Sequence, residues 1–362
     1  MAKAIKQNDA FGNRGYPDMH DHLRSLEEAD LLYRIDEPVN KDTELMPLVR
    51  WQFRGGIPEN QRKAFLFTNT TNSQGRTYDI PLLVGGMAAT RQIYAIGMGV
   101  PVDAIGDHWK QALAAPTPPI EVTDAPCQEI VVEGADLDGE GNGLDMLPVP
   151  LSTPGYDVAP YLTATGCITR DPETGIQNMG TYRGGIKAPN RLGLKMFVNL
   201  RQGGHAHWFK YKARGEKMPM AIMVGCPPAL AYVSPQKIRD DVDEMAVAGA
   251  LAGAPIRVTR AKTIDVMVPA DAEIIIEGLV DTEMFEPEGP FGESHGHINL
   301  EEYNFIFDVT AITRRKDAVM ASIISQVTPS ESSVIKRVAM EPKFLNHLRD
   351  GLGIKGLRHV SM

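Results

Sequence analysis

The chain lacks the features that would send it to a membrane or out of the cell. No run approaches the ~18 apolar residues a membrane span needs, and the opening MAKAIKQNDAFGNRGYPDMH has no apolar signal-peptide core. Positive charge is also short. Against 46 Asp and Glu there are 37 Lys and Arg, a formal net charge of −9, so nucleic acid and anionic membrane drop out as general partners. An anionic ligand would need local cations to overcome that field. Cysteine is scarce: Cys127, Cys167 and Cys226 are odd in number and far apart. They form neither a disulfide framework nor a CxxC metal site and read as buried small hydrophobes in a reducing compartment. The expected location is cytoplasmic. Walker A, GxGxxG, GxSxG and HExxH signatures are missing from the acid- and histidine-rich segments, which removes the simplest nucleotide, hydrolase and zinc readings.

Glycine and proline are plentiful, 34 and 26 in 362 residues, and so many turns favour β-rich or mixed architecture. DMHDHLRSLEEADLLYRID places Leu23, Leu26, Leu31 and Leu32 among charges and predicts an amphipathic helix running into a short strand. AFLFTNT and IPLLVGGM read as strands and RQIYAIGMGV as a helix. Residues 1–115 therefore form a small α/β domain ending at the Pro-rich APTPPIEV. EIVVEG, YLTATGCITR, MAIMVG, APIRVTRAKTIDVMVP and AEIIIEGLV are short β-type runs, interrupted by one clear helix at DDVDEMAVAGALAGA. Residues 116–323 thus read as a mostly antiparallel barrel or sandwich. Helical patterning returns from residue 324 in SESSVIKRVAMEPKFLNHLRDGLGI, and a strand is expected at LRHVSM.

Two segments are dense in chemistry. In NMGTYRGGIKAPNRLGLKMFVNLRQGGHAHW, Arg183 ends a β-like run and precedes Gly184 and Gly185. Its planar fork suits a carboxylate clamp as well as a structural ion pair. Asn178, five residues earlier, would face away from Arg183 on a flat strand unless a bulge intervenes. In EPEGPFGESHGHIN, Glu288 and Glu293 sit on what reads as a Gly/Pro loop. Such acids are often just a solvated turn, but Phe291 between them argues otherwise. Near an arginine, one acid can stay ionised while the other carries a proton. His295/His297 and His205/His207 are HxH pairs, more economically read as satisfied polar groups than as zinc ligands. Asp240, Asp241 and Asp243 suit a helix N-terminus. Glu244 directly precedes the apolar face, and with the Asn178 oxygen it would suit a hard cation.

PEGPFGESHGHI and NMGTYRGG together resemble the UbiD family of reversible decarboxylases, which use prenylated FMN. The likeness extends over nearly the whole chain, including HDHLRSLEEADLLYRIDEPV, LDMLPVPLSTPGYDVAPYLTATGCITRDPETGIQNMGTYR and VPADAEIIIEG. It implies an α+β protein: the small N-terminal domain, a central split β-barrel that binds the flavin, and in 324–362 the start of a C-terminal α/β domain that family members continue. By position, Arg183 corresponds to the active-site arginine, Glu288 to its paired acid and Glu293 to the proton-shuttling acid. Asn178 and Glu244 match two ligands of a divalent ion, usually Mn2+, beside the flavin phosphate, and Thr181, Tyr182, Arg201 and Gln202 fall in the cofactor-binding segments. The third ligand is typically histidine. Here Arg201 holds that position, with His205 four residues on as a possible substitute. K+ would sit on the carbonyls of Tyr232 to Ser234.

The resemblance implies decarboxylation of an aromatic or α,β-unsaturated acid through a covalent prenylated-FMN adduct, or carboxylation in reverse. Such chemistry needs an electron sink, and Lys187 has no acid–base partner to serve as a Schiff base. A flavin prenyltransferase would supply the cofactor, and a homo-oligomer is expected with a C-terminal domain. Two other readings stay open: a non-catalytic flavin-binding or scaffold subunit, and a metal-dependent hydrolase on the HxH pairs.

Overall fold

A computed structural model of the chain describes residues 9–196, 203–239, 241–293, 296–299 and 302–361. Asp18 opens helix α1 (Met19–Glu28) with a reciprocal cap: its carboxylate accepts from the Asp21 N–H, and the Asp21 carboxylate accepts from the Asp18 N–H. Such caps contribute about 1 kcal/mol. Met19, Leu23 and Leu26 then bury one face, and strand β1 (Leu32–Ile35) follows as expected. Helix α2 (Leu45–Arg54) is an addition to the expected elements, and it contains a helix breaker, Pro47. In the first turn, however, its missing N–H costs no hydrogen bond. Strands β2 (Ala64–Phe67) and β3 (Leu82–Val84) and helices α3 (Arg91–Met98) and α4 (Ile105–Ala114) complete this region.

The central region contains β4 (Ile130–Glu133), β5 (Tyr161–Leu162), β6 (Thr165–Arg170), β7 (Gln177–Gly180), β8 (Gly184–Ala188) and β9 (Arg191–Leu194). Then come α5 (Gly203–Arg214), β10 (Met218–Val224), α6 (Pro228–Val233), α7 (Glu244–Ala252), and the long hairpin β11 (Ile274–Glu288) and β12 (Glu302–Arg314). The antiparallel order is β7–β6–β10–β11–β12–β9–β8–β5, with β4 also on β12. The apolar runs of β10 and early β11 are buried almost throughout, since α5 packs across β6, β7, β10 and β11.

Helices α5 and α6 correct the expectation of a single helix here. Their Gly-Gly and Pro-Pro openings look like loop punctuation, but proline at the first helical position is favourable. The ordered α7 is also shorter than DDVDEMAVAGALAGA, because Asp243 caps it by accepting from the Met245 N–H.

The edges of this sheet, β5 and β7, are not hydrogen-bonded to each other. Yet β5 runs into β6 through Thr163–Ala164, and β7 into β8 through Thr181–Arg183. Two short connections therefore stitch opposite edges together, which is the geometry of a split barrel. Across the split, Thr165 Oγ1 donates to the Tyr182 carbonyl at 2.6 Å.

Strand β13 (Met320–Ser322) returns to the N-terminal region and pairs in parallel with β3, giving the order β1–β2–β3–β13. Helix α8 (Glu331–Asn346) packs against α3 and α4. The fully buried Glu331 carboxylate accepts from the backbone N–H groups of Gly85, Met87, Ala88 and Ile324. Burial nevertheless pushes its pKa up to about 7. The strand expected at LRHVSM does not form through Ser361. Among the described residues, no helix is long and apolar enough to cross a membrane. Cys127, Cys167 and Cys226 are free and buried, and burial raises each thiol to about 12.

Candidate active site

The split in the barrel decides where the polar residues go. Asn178 lies on β7 and Arg183 just before β8, two strands with different neighbours. Strand alternation therefore says nothing about their relative facing, and the break takes the place of the bulge considered above. Arg183 points to the end of the β11–β12 hairpin. Glu288 is not on a loop: it is the last residue of β11 and pairs with Glu302 on β12. The ladder re-registers between Val280 and Phe285 and continues through Pro287 to Glu288.

One guanidinium serves both glutamates. Arg183 Nε and Nη2 donate to the two Glu288 oxygens at 2.8 and 3.0 Å, and Nη1 donates to Glu293 Oε1 at 2.5 Å. The Glu288 side chain is 0% exposed, that of Glu293 20%. Burial works against the Arg183 charge, but the paired carboxylates outweigh it and hold the pKa above its usual value. Phe291 forms the floor: its ring centroid lies 4.4 Å from the guanidinium carbon and 4.5 Å from that of Tyr161. Burial, and next the Glu288 charge, raises the Tyr161 pKa.

The acid loop rests on residues 152–161. Asp157 accepts from the Gly292 N–H at 3.0 Å and the Thr153 N–H at 2.6 Å. A Cβ at Gly292 would lie 2.7 Å from Thr153 Oγ1, so the close approach requires glycine.

A second cluster lies at the β7 end. Glu244, buried at the start of α7, accepts from the Met179 N–H at 2.9 Å, and burial pushes its pKa up to about 7. Among the described residues, Asn178 Nδ2 is buried without a hydrogen-bond partner. A Cβ on Gly203, the first residue of α5, would fall 1.8 Å from Asn178 Oδ1, so the helix N-terminus and the amide approach as only glycine permits. Tyr182 OH accepts from the Gly204 N–H at 3.1 Å, and Thr181 Oγ1 lies 2.9 Å from Ser234 Oγ. An unsatisfied amide, a buried carboxylate and a helix N-terminus fit a cation with an attached phosphate.

Arg201, Gln202 and His295 lie outside the described residues. His205 packs its ring against Trp208, Phe209 and Phe305, and burial lowers its pKa. His207 Nδ1 lies 2.8 Å from Thr169 Oγ1. As neighbours i and i+2 on α5, the two do not share a face. Among the described residues, no three His, Cys, Asp or Glu side chains gather as a metal-ligand group. Two members of the acid cluster escaped notice in the sequence, Asp157 and Lys195. Neither sits in a motif, and only the folded register brings them there.

Residues 120–327 match the 3-octaprenyl-4-hydroxybenzoate carboxy-lyase Rift-related domain (UbiD), and residues 23–113 match the corresponding N-terminal domain. The chain is similar to an evolved dimeric form of the UbiD-class enzyme HmfF from Pelotomaculum thermopropionicum, solved in complex with prFMN. Identity is 29% with a TM-score of 0.82, over 93% of this chain and 73% of that one. Vanillic acid decarboxylase from Sedimentibacter hydroxybenzoicus in closed form shares the fold at 22% identity and TM-score 0.82, over 93% and 70%. Apo 3,4-dihydroxybenzoic acid decarboxylase from Enterobacter cloacae shares it at 24% and 0.79, over 92% and 70%. With its β-barrel matched along its length and the N-terminal domain beside it, the chain belongs to the UbiD family of carboxy-lyases.

Proposed function

We propose that this chain catalyses the reversible non-oxidative decarboxylation of an aromatic or α,β-unsaturated carboxylic acid with prenylated FMN, Glu293 acting as proton donor and Arg183–Glu288 as the supporting pair. The observation that carries the reading is the unequal sharing of Arg183. Glu288 holds it through two bonds and is sealed from solvent, whereas Glu293 holds it through one and is partly exposed. The first acid is an anchor. The second can leave the guanidinium, take a proton and reach a substrate.

The bound prFMN in HmfF supports the choice of cofactor. When present, the flavin supplies the electron sink that no side chain in the cluster provides. Asn178 and Glu244 would hold Mn2+ beside the flavin phosphate, Thr181 and Tyr182 would line the same end, and the carbonyls of Tyr232 to Ser234 would hold K+. Arg201 and Gln202 belong to the same cofactor-binding segments. Arg183, freed on one side when Glu293 turns away, orients the substrate carboxylate. As the carbon–carboxylate bond breaks, the electron pair stays with the carbon. The Glu293 O–H proton goes to that carbon, and the resulting carboxylate returns to Arg183 Nη1. Carboxylation runs the same steps backwards.

The test is Glu293→Gln after co-expression with a flavin prenyltransferase. A positioned proton donor contributes ~10²–10⁴-fold, so turnover and solvent-deuterium incorporation should fall by that factor while the flavin is retained. Near-wild-type turnover would overturn the assignment.

A further inference from the structure

The Arg183 cluster contains one more charge than the mechanism uses. Glu288 and Glu302 lie directly opposite each other on β11 and β12, and like charges in that relation are destabilising. Lys195, just after β9, resolves the conflict. Its Nζ contacts Glu302 Oε2 and lies 3.9 Å from Glu288 Oε2. Its backbone N–H donates to the Arg183 carbonyl at 3.0 Å, so the lysine is tied to the arginine through the main chain as well as through Glu288. The Lys195 side chain is buried, whereas that of Glu302 is 46% exposed and screened by water. Setting the half-exposed Glu302 aside, Arg183 alone faces two carboxylates, the sealed Glu288 and the partly exposed Glu293. Adding Lys195 makes two cations for two anions.

We propose that Lys195 is a positioning residue for the acid pair: it balances the second carboxylate, so that Arg183 can hold Glu288 and Glu293 together as anions, and it thereby sets how readily Glu293 takes up its proton. Among the described residues, the other charged and titratable groups facing this set are Tyr161, Lys187, whose Nζ donates to the Pro287 carbonyl at 2.9 Å, and, beneath the loop, Asp157. Arg191 lies further along the sheet, 3.5 Å from Glu286. None of these is a cation in contact with Glu288 or Glu293, so none replaces Lys195. Burial lowers the Lys195 pKa, Arg183 adds to that, and the two glutamates oppose it. The charge balance stands on the geometry alone, while its consequence for proton donation rests on the function proposed above.

The experiment uses the flavin-free full chain, labelled with 13C-glutamate and titrated by infrared spectroscopy. In Lys195→Met, one buried cation faces two carboxylates. The pair should bind a proton about tenfold more tightly than in wild type, a one-unit shift at the low end for an opposite charge at this range. The protonated-carboxyl band should vanish in Lys195→Met/Glu293→Gln or Lys195→Met/Glu288→Gln. Lys195→Arg should titrate like wild type, and so should Glu302→Gln, because the exposed partner is not what Lys195 serves. The proposal is overturned if Lys195→Met titrates like wild type, or if Glu302→Gln reproduces its shift, which would make Lys195 a companion of Glu302 only. Should Lys195→Met fail to fold, Lys195→Gln carries the same comparison. These readouts require no turnover, so they separate failure of this proposal from failure of the decarboxylase reading. In loaded enzyme, the basic limb of the kcat profile, where the Glu293 donor loses its proton, should move to higher pH with KM little changed.

Discussion

The two ends of the split barrel are built to opposite rules. At the Arg183 end, the guanidinium, Glu288 and Glu293 satisfy one another, Phe291 and Tyr161 support them, and Asp157 pins the loop from below. At the Asn178 end, among the described residues, an amide nitrogen is buried without a partner, and burial pushes the Glu244 pKa up to about 7 against the pull of Lys237. The first arrangement is complete within the protein, so its geometry is set before any ligand arrives. The second carries a desolvation cost that only a cation or phosphate group would offset.

This contrast makes graded predictions about stability. Arg183→Met should be the most damaging, because it leaves one fully buried and one partly buried carboxylate without their cation. Breaking a buried pair in this way costs about 3–5 kcal/mol, measured by urea denaturation of the flavin-free protein. A loss below about 1 kcal/mol would show that the cluster is not a closed structural unit.

Asp157→Asn should come next, costing about 1–3 kcal/mol because the amide keeps one acceptor oxygen for the two backbone N–H groups that the carboxyl's two oxygens serve. Its effect should depend on pH. Burial raises the Asp157 pKa in the folded state, so wild type loses stability as pH rises from the unfolded value, about 4, through the folded one. The asparagine variant is neutral throughout and lacks that decline. The difference between the two should therefore shrink as pH rises, and a gap independent of pH would show that Asp157 titrates as it would in water.

How much of this was legible beforehand differs between the same two ends. The P-E-G-P-F-G-E run and the Arg-Gly-Gly turn announced the acid cluster because Gly292 and Phe291 serve local geometry, and local geometry leaves local signatures. The pairing of Glu288 with Arg183 was legible only through the resemblance. What failed was its setting. Glu288 ends a fifteen-residue strand whose bulge near residues 281–284 no alternation pattern reveals. Lys195 could not be singled out, since an isolated lysine in RLGLKM gains its meaning only from the β11–β12 register. At the other end, Glu244 was visible as an acid leading into an apolar helix, and Asn178 as a side-chain oxygen that could join it on a hard cation. Helices α5 and α6 were hidden by Gly-Gly and Pro-Pro openings that serve as helix starts, and β13 by pairing with a strand more than two hundred residues earlier.

The sharpest check on the contrast is the variant expected to do least to the fold. Asn178→Ala removes a buried amide whose Nδ2 has no hydrogen-bond partner among the described residues. Its stability should stay within about 0.5 kcal/mol of wild type, with any change towards stabilisation, since deleting an unpaired buried polar group relieves its desolvation cost. Affinity should respond differently. Retention of FMN in the presence of Mn2+, followed by equilibrium dialysis, should weaken by about 10–100-fold, the range seen when groups supporting a metal are lost. A variant that bound flavin normally and melted early would reverse the picture, making Asn178 a member of a closed structural unit and leaving the phosphate end to Glu244 and the first turn of α5.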